Sequence, residues 1–208
     1  MKITVVGAAG MAGSRVVTEA LGRGHHVTAV LRGPRPDTLP KEATVVRGDA
    51  TDVEHMTSLF TSADAIVGAT RPAPGAEDTV TATTTALLDA AASAGTRALL
   101  IGGSAPLRSP SGGLVFDDPR YVPPFVRAIA AASIAQLDAC RSHTADWVYV
   151  SPPALLEPGT RTGGYRRGTT SLVVAADGSS RISAEDLAVA VVDELENPGA
   201  ERHFAVGY

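Results

Sequence analysis

The feature that most restricts the fold is an alternation. Short β-branched runs, KITVV (2–6), HVTAVL (26–31), ATVVRG (43–48), ADAIVGA (63–69), RALLIGG (97–103), DWVYVS (146–151) and RHFAVG (202–207), recur along the chain. Between them lie stretches with helical spacing, such as Val53, Met56, Leu59 and Phe60, or Val80, Thr84, Leu87, Leu88 and Ala91. Strands apolar on both faces need cover on both sides. The pattern therefore predicts an α/β protein whose mainly parallel sheet has about seven strands, with helices on both faces. With 208 residues, 44% of them apolar, one core suffices, and a single domain over 1–208 is expected. Two stretches break the rhythm, 105–124 and 152–182. Both follow strands, so both are expected at the carboxyl edge of the sheet as substrate-side loops, as lids or as irregular insertions.

The first crossover, MKITVVGAAGMAG, carries glycines at 7, 10 and 13 directly between a strand and a helix. Gly7 suits a tight turn, Gly10 a close approach of a diphosphate, and Gly13 a helix packed against the strand. The helix start, Ala9, Gly10, Met11, Ala12 and Gly13, would offer free amides and a positive dipole end to phosphates. The spacing is looser than G-x-G-x-x-G, and three glycines also serve a plain turn. A phosphoryl-transfer loop would need Gly-Lys-Ser/Thr, which is missing. At the end of the second strand, VLRGPRP has no carboxylate for a ribose hydroxyl. Arg32 there suits a 2′-phosphate, which favours NADPH over NADH, although a solvated arginine is the plainer role; Arg35 would assist.

Charge narrows the partners. A net charge of −4 gives no attraction for nucleic acid or an anionic membrane, leaving a small-molecule acceptor. No apolar run is long enough for a membrane span and no basic segment precedes the first strand, so a cytoplasmic protein is expected. Cys140 is alone and reads as packing. The histidines at 25, 26, 55, 143 and 203 are scattered at expected surface or boundary positions, and neither they nor Asp117 with Asp118 form a metal-binding pattern. Arg161, Arg166 and Arg167 predict a positively charged tip on a late hairpin, suited to a flavin phosphate or other anionic substrate, although a solvated hairpin is the commoner arrangement. Ser183 as N-cap with Asp186 three residues on predicts a capped final helix.

Together with GHHVTAVLR, VVRGDATD, LLIGGSAPL, DWVYVSPPALLEPGTRTGGYR and SRISAEDLAVAVVDELENP, the opening stretch resembles the atypical short-chain dehydrogenase group of NAD(P)H-binding proteins. Within it, the NADH-flavin reductase or biliverdin reductase B-like branch, related to NmrA-like proteins, is the nearest. The resemblance implies a Rossmann-type doubly wound sheet and runs nearly end to end. It implies that Asp49 and Ala50 contact the adenine and that Ala69 and Thr70 line the cofactor. It places Gly103 and Ser104 near the nicotinamide, with Ser104 the candidate catalytic donor or merely a loop cap. Pro152 and Pro153 would shape the same wall or end a strand; RGDATD also reads as a loop and cap.

The departures bear on chemistry. Classical members protonate a carbonyl with Tyr-x-x-x-Lys, but four residues after Tyr121, Tyr149 and Tyr165 stand Phe125, Pro153 and Thr169. A conjugated ring accepts hydride without a protein acid, so flavin or a related acceptor is the expected substrate of an NADPH-dependent reductase. The alternatives are an NmrA-like redox sensor without catalysis, or an isomerase or dehydratase that keeps its cofactor. SPPALL, with Ala154 and Leu155, lacks the histidine that biliverdin reductase B-like proteins carry there, which weighs against a bilin. Tyr121, Phe116 and Tyr165 are the aromatics in the two loops that could stack on a ring.

Overall fold

The computed structural model describes residues 1–208. All seven expected strands form: β1 (Lys2–Val6), β2 (His26–Leu31), β3 (Thr44–Arg47), β4 (Ala65–Gly68), β5 (Ala98–Ile101), β6 (Trp147–Ser151) and, last in the chain, β10 (His203–Gly207). They run parallel in the order β3-β2-β1-β4-β5-β6-β10. Three short strands are additions: β7 (Leu155–Glu157), β8 (Arg166–Gly168) and β9 (Arg181–Ser183). β8 pairs antiparallel with β10 and makes an eighth strand, while β7 and β9 pair with each other. The arginines of β8 mark it as an edge strand, whose charge discourages further pairing.

Helices α1 (Met11–Gly22) and α5 (Ala184–Glu196) cover one face of the sheet. α2 (Val53–Phe60), α3 (Val80–Ala94) and α4 (Arg127–Arg141) lie on the side of the second core cluster. The first core holds Ile3, Val5, Val148, Val191 and Phe204, the second Val6, Ile66, Leu87, Leu100 and Tyr149. Asp52 caps α2 by accepting the His55 N–H at 3.0 Å, and Gly95 ends α3 at φ +66°. Cys140 is buried in the second core, which pushes its thiol up to about 12 and leaves it inert at neutral pH.

The two loop regions are built walls. Leu107, Val115 and Val122 pack against Leu172 and Val173 in a third cluster. The buried Asp118 carboxylate accepts from Ser109 Oγ at 2.6 Å, Ser111 Oγ at 2.9 Å and Arg120. Those bonds fold 109–120 back on itself, so the first loop is a fixed surface.

Ser183 accepts the Asp186 N–H at 3.0 Å, as the capping pattern requires, but the reciprocal bond is absent. Asp186 instead accepts from Thr162 N–H, Thr162 Oγ1, Gly163 N–H and Tyr208 Oη, tying 162–163 to α5. The late segment also lacks the free positive tip. Arg161 pairs with the buried Glu19 at 2.7 Å, and Arg167 pairs with the buried Glu194 at 2.7 Å. Arg166 donates to the carbonyls of Val174 and Tyr208. The guanidinia of Arg161 and Arg167 each satisfy a buried carboxylate that removal from water would otherwise leave costly.

His203 stands at a boundary position, as expected, with its ring turned inward. Its ring stands edge-on to Tyr149 at 5.4 Å, Nε2 shares a 2.9 Å hydrogen bond with Ser151 Oγ, and Nδ1 is buried without a partner. Burial pushes its pKa down to about 4, so the ring is neutral at physiological pH. The unfolded chain gains a proton below about pH 6.5 that the folded protein refuses until about 4. Stability should therefore fall as pH drops through that window, by roughly 2–3 kcal/mol from this group. Urea unfolding between pH 7 and 4 should show a shallower slope for His203→Gln than for wild type. Parallel slopes would contradict this.

Candidate active site

The parallel register brings the predicted residues together. Val6 lies opposite Val30 and Gly68, Gly68 opposite Leu100, and Ile101 opposite Val150. The turns after β1, β4, β5 and β6 therefore emerge side by side at the carboxyl edge. β1 and β4 are neighbours although two strands separate them in sequence, and a crevice opens where strand order reverses.

At that crevice Gly7 has φ +85°, and a Cβ on it would meet the Ala69 carbonyl oxygen at 2.5 Å. A Cβ on Gly13 would meet the Gly7 carbonyl oxygen at 2.3 Å, so α1 sits directly on the β1 turn. Gly10 is different: it is exposed, and it caps α1 without a side-chain bond. The first turn of α1 holds no acidic residue, and the amides of Ala9, Met11, Ala12 and Gly13 find no acceptor in the protein. Uncapped amides at a positive dipole end are the chemistry a pyrophosphate requires, so the residues present fit a dinucleotide.

Beyond the crevice a cavity of about 450 Å³ is lined by Gly10, Met11 and Ala12 on one side and by Ala69 and Thr70 behind. Gly103, Ser104, Pro152 and Pro153 form its far wall. Nine of the sequence-predicted site residues thus line one hollow. Gly7 and Gly13 shape its edge through backbone contacts and Ala9 is an exposed residue of the same turn. Ser104 is half-buried and its hydroxyl makes no hydrogen bond in the protein; its carbonyl takes the Leu107 N–H at 2.9 Å.

Arg32, Asp49 and Ala50 stand outside the cavity. Leu31 lies opposite Arg47 in the β2–β3 pair, which brings Arg32, exposed and without an ion pair, close to Asp49. The Asp49 carboxylate accepts from Thr51 N–H at 2.9 Å and Thr51 Oγ1 at 2.7 Å. Those bonds, helped by the Arg32 charge, hold it below the usual carboxylate range. Ala50 is buried in the second core. Arg35 is turned onto the carbonyls of Leu39, Pro40 and Ala43, which corrects its expected assisting role.

The sequence reading missed the α4 wall of the cavity, Ile129, Ser133 and Gln136, and the rim residue Arg71. α4 is alanine-rich, so no apolar stripe announces it. Of the three loop aromatics only Tyr121 faces the cavity: Phe116 lies under Arg127 and Tyr165 donates to Asp193. The only ionisable side chains lining the hollow are Arg71 and Tyr121, whose hydroxyl is 3.0 Å from the Gly178 carbonyl. No carboxylate, lysine, histidine or cysteine reaches it.

A doubly wound sheet with a glycine turn, free helix amides and a cavity at the reversal point defines a dinucleotide-binding protein of the Rossmann class. The chain belongs to the NAD(P)H-binding family, whose pattern matches residues 7–198. It is 33% identical over 206 residues to YwnB of Bacillus subtilis strain 168, covering 95% of this chain and 93% of that protein. Among solved structures, a Bacteroides thetaiotaomicron protein named as a candidate epimerase is 33% identical with a TM-score of 0.89, covering 100% of this chain and 96% of the other. A Streptococcus pneumoniae TIGR4 protein named as a candidate NADH-flavin reductase is 27% identical, also with a TM-score of 0.89, over 100% and 99% of the two chains. No helix is long and apolar enough to cross a membrane.

Proposed function

We propose that the protein is an NADPH-dependent reductase that passes hydride to a flavin or a similar conjugated small-molecule acceptor. The observation that carries this reading is the cavity's lining, a mainly apolar hollow beside free helix amides that no carboxylate, lysine, histidine or cysteine reaches. Isomerisation and dehydration need a proton taken from or given to carbon or oxygen, and the one phenolic hydroxyl here, on Tyr121, is held by the Gly178 carbonyl with no lysine beside it. When bound, the reduced nucleotide supplies the hydride. The chain's own part is to hold the phosphates at Ala9–Gly13, to offer the Ser104 hydroxyl beside the reacting rings, and to exclude water with Pro152, Pro153 and Ile129.

The test is anaerobic NADPH oxidation with FMN, FAD, a quinone and a bilin in turn. Turnover is expected with the flavin or the quinone. Tight nucleotide binding with no oxidation by any acceptor would overturn the reading in favour of a sensor.

Arg32 accounts for the coenzyme preference, because a bidentate charge-assisted contact to the 2′-phosphate has no counterpart in NADH. Arg32→Ala is expected to raise the Kd for NADPH about 100-fold and that for NADH less than about threefold. Equal losses would remove the assignment.

A further inference from the structure

Gln136 sits on the cavity side of α4 and is only 4% exposed. Its Oε1 lies 3.2 Å from the Tyr149 hydroxyl. That hydroxyl accepts the Gly103 N–H at 3.2 Å and has the Ser133 carbonyl at 3.0 Å as a second acceptor for its own proton. Tyr149 is fully buried, and its ring lies where a Cβ on Gly102 would come within 1.8 Å, so it has no other place to turn. The carboxamide turns its oxygen toward that hydroxyl, whose single proton serves Ser133 or Gln136, and its NH2 makes no hydrogen bond with the protein. The only buried side-chain polar atoms left without a partner are Trp147 Nε1 and His203 Nδ1, so the Gln136 NH2 is open to the cavity.

Its neighbours in that wall, Ile129, Ala130, Ala132 and Val126, are apolar, and the Ser133 hydroxyl is spent on the Ala130 carbonyl at 2.8 Å. One fixed donor in an apolar wall selects for an acceptor atom on whatever fills the space. We propose that the Gln136 NH2 donates to a ring carbonyl oxygen of the acceptor, so that the preferred substrates are planar conjugated carbonyl compounds of the quinone or flavin type. This rests on reading the cavity as the acceptor side of an NAD(P)H reductase. The ring receives one hydride, two electrons in all, from the reduced nucleotide, which is left oxidised, and one proton from water. Electron density that builds on the carbonyl oxygen meets a neutral donor already in position, and Gln136 keeps its protons throughout.

Isothermal titration at saturating NADP+ tests this with anthraquinone-2-sulfonate and anthracene-2-sulfonate, probes of the same outline and charge that differ in their ring carbonyls. Wild type is expected to bind the quinone about tenfold more tightly than the hydrocarbon. Gln136→Leu should erase that preference while its affinities for NADP+ and anthracene-2-sulfonate stay within about twofold. Tyr149 retains the Ser133 carbonyl in this variant, and Gln136→Met, closer in length, serves if the leucine variant does not fold. A wild type with no carbonyl preference, or a preference that survives both substitutions, overturns the proposal. So does a variant that loses NADP+ instead, which would assign the amide to the cofactor. A wild type that binds no NADP+ at all removes the dinucleotide reading itself, a separate result from the carbonyl preference.

Discussion

Replacing Gly10 with Asp is expected to leave the protein at least as stable as before and to abolish dinucleotide binding. Gly10 caps α1 in extended backbone, φ −73° and ψ 167°, a conformation open to Asp. Its Cβ would stand 3.3 Å from the Gly7 carbonyl oxygen, a tight contact that a shift of a few tenths of an ångström relieves. A carboxylate there accepts the free amides and meets the positive end of the dipole, contributing a few tenths to about 1 kcal/mol. The same carboxylate occupies the place of the pyrophosphate and repels it. At about 4 Å and an intermediate effective dielectric that repulsion is several kcal/mol, so affinity should fall at least about 100-fold. Thermal melts with and without NADPH read both effects at once: the cofactor-free midpoint holds or rises, and the cofactor-induced shift disappears. A midpoint that falls sharply, or a ligand shift that persists, would contradict the role given to this turn.

Gly7→Ala should do the reverse, damaging the fold before the ligand is considered. The left-handed backbone at φ +85° costs an alanine about 1–2 kcal/mol. Overlap with the Ala69 carbonyl oxygen, at 2.5 Å from the new Cβ, adds a further 1–3 kcal/mol or so, because both partners are backbone and neither can rotate away. The total of about 4 kcal/mol corresponds to a melting temperature lower by roughly 10 °C for a chain of this size. A drop of less than about 3 °C would mean that the β1 and β4 turns are not in contact.

These two glycines show why the fold was legible. A turn between a strand and a helix is a local event, so its requirements are written in consecutive residues, and β-branched runs declare central strands the same way. β7, β8 and β9 escaped because three residues carry no period, and RRG and RIS look like loop. The predicted positive tip failed for a different reason. Arg161 and Arg167 are quenched by Glu19 and Glu194, which the fold brings from distant parts of the chain. Sequence proximity cannot show such pairs.

The candidate site divides along the same line. The residues after β1, β4, β5 and β6 were found because strand ends define the carboxyl edge and the family resemblance names them. Gln136 and Ile129 were not, since α4 carries neither a strong apolar stripe nor a motif, and only its packing against α3 and β6 turns them inward. His203 is the boundary residue it was expected to be, but its contact with another strand was not legible. The Tyr149 ring, from another strand, supplies its burial.

The central claim is that free amides at the start of α1 receive a pyrophosphate. The most direct measurement follows backbone amide resonances of 15N-labelled protein as NADP+ is added. The signals of Ala9, Met11, Ala12 and Gly13 are expected to move furthest and to saturate together with the melting-temperature shift. Unmoved signals at these four residues while others saturate, or no saturable change anywhere, would contradict it.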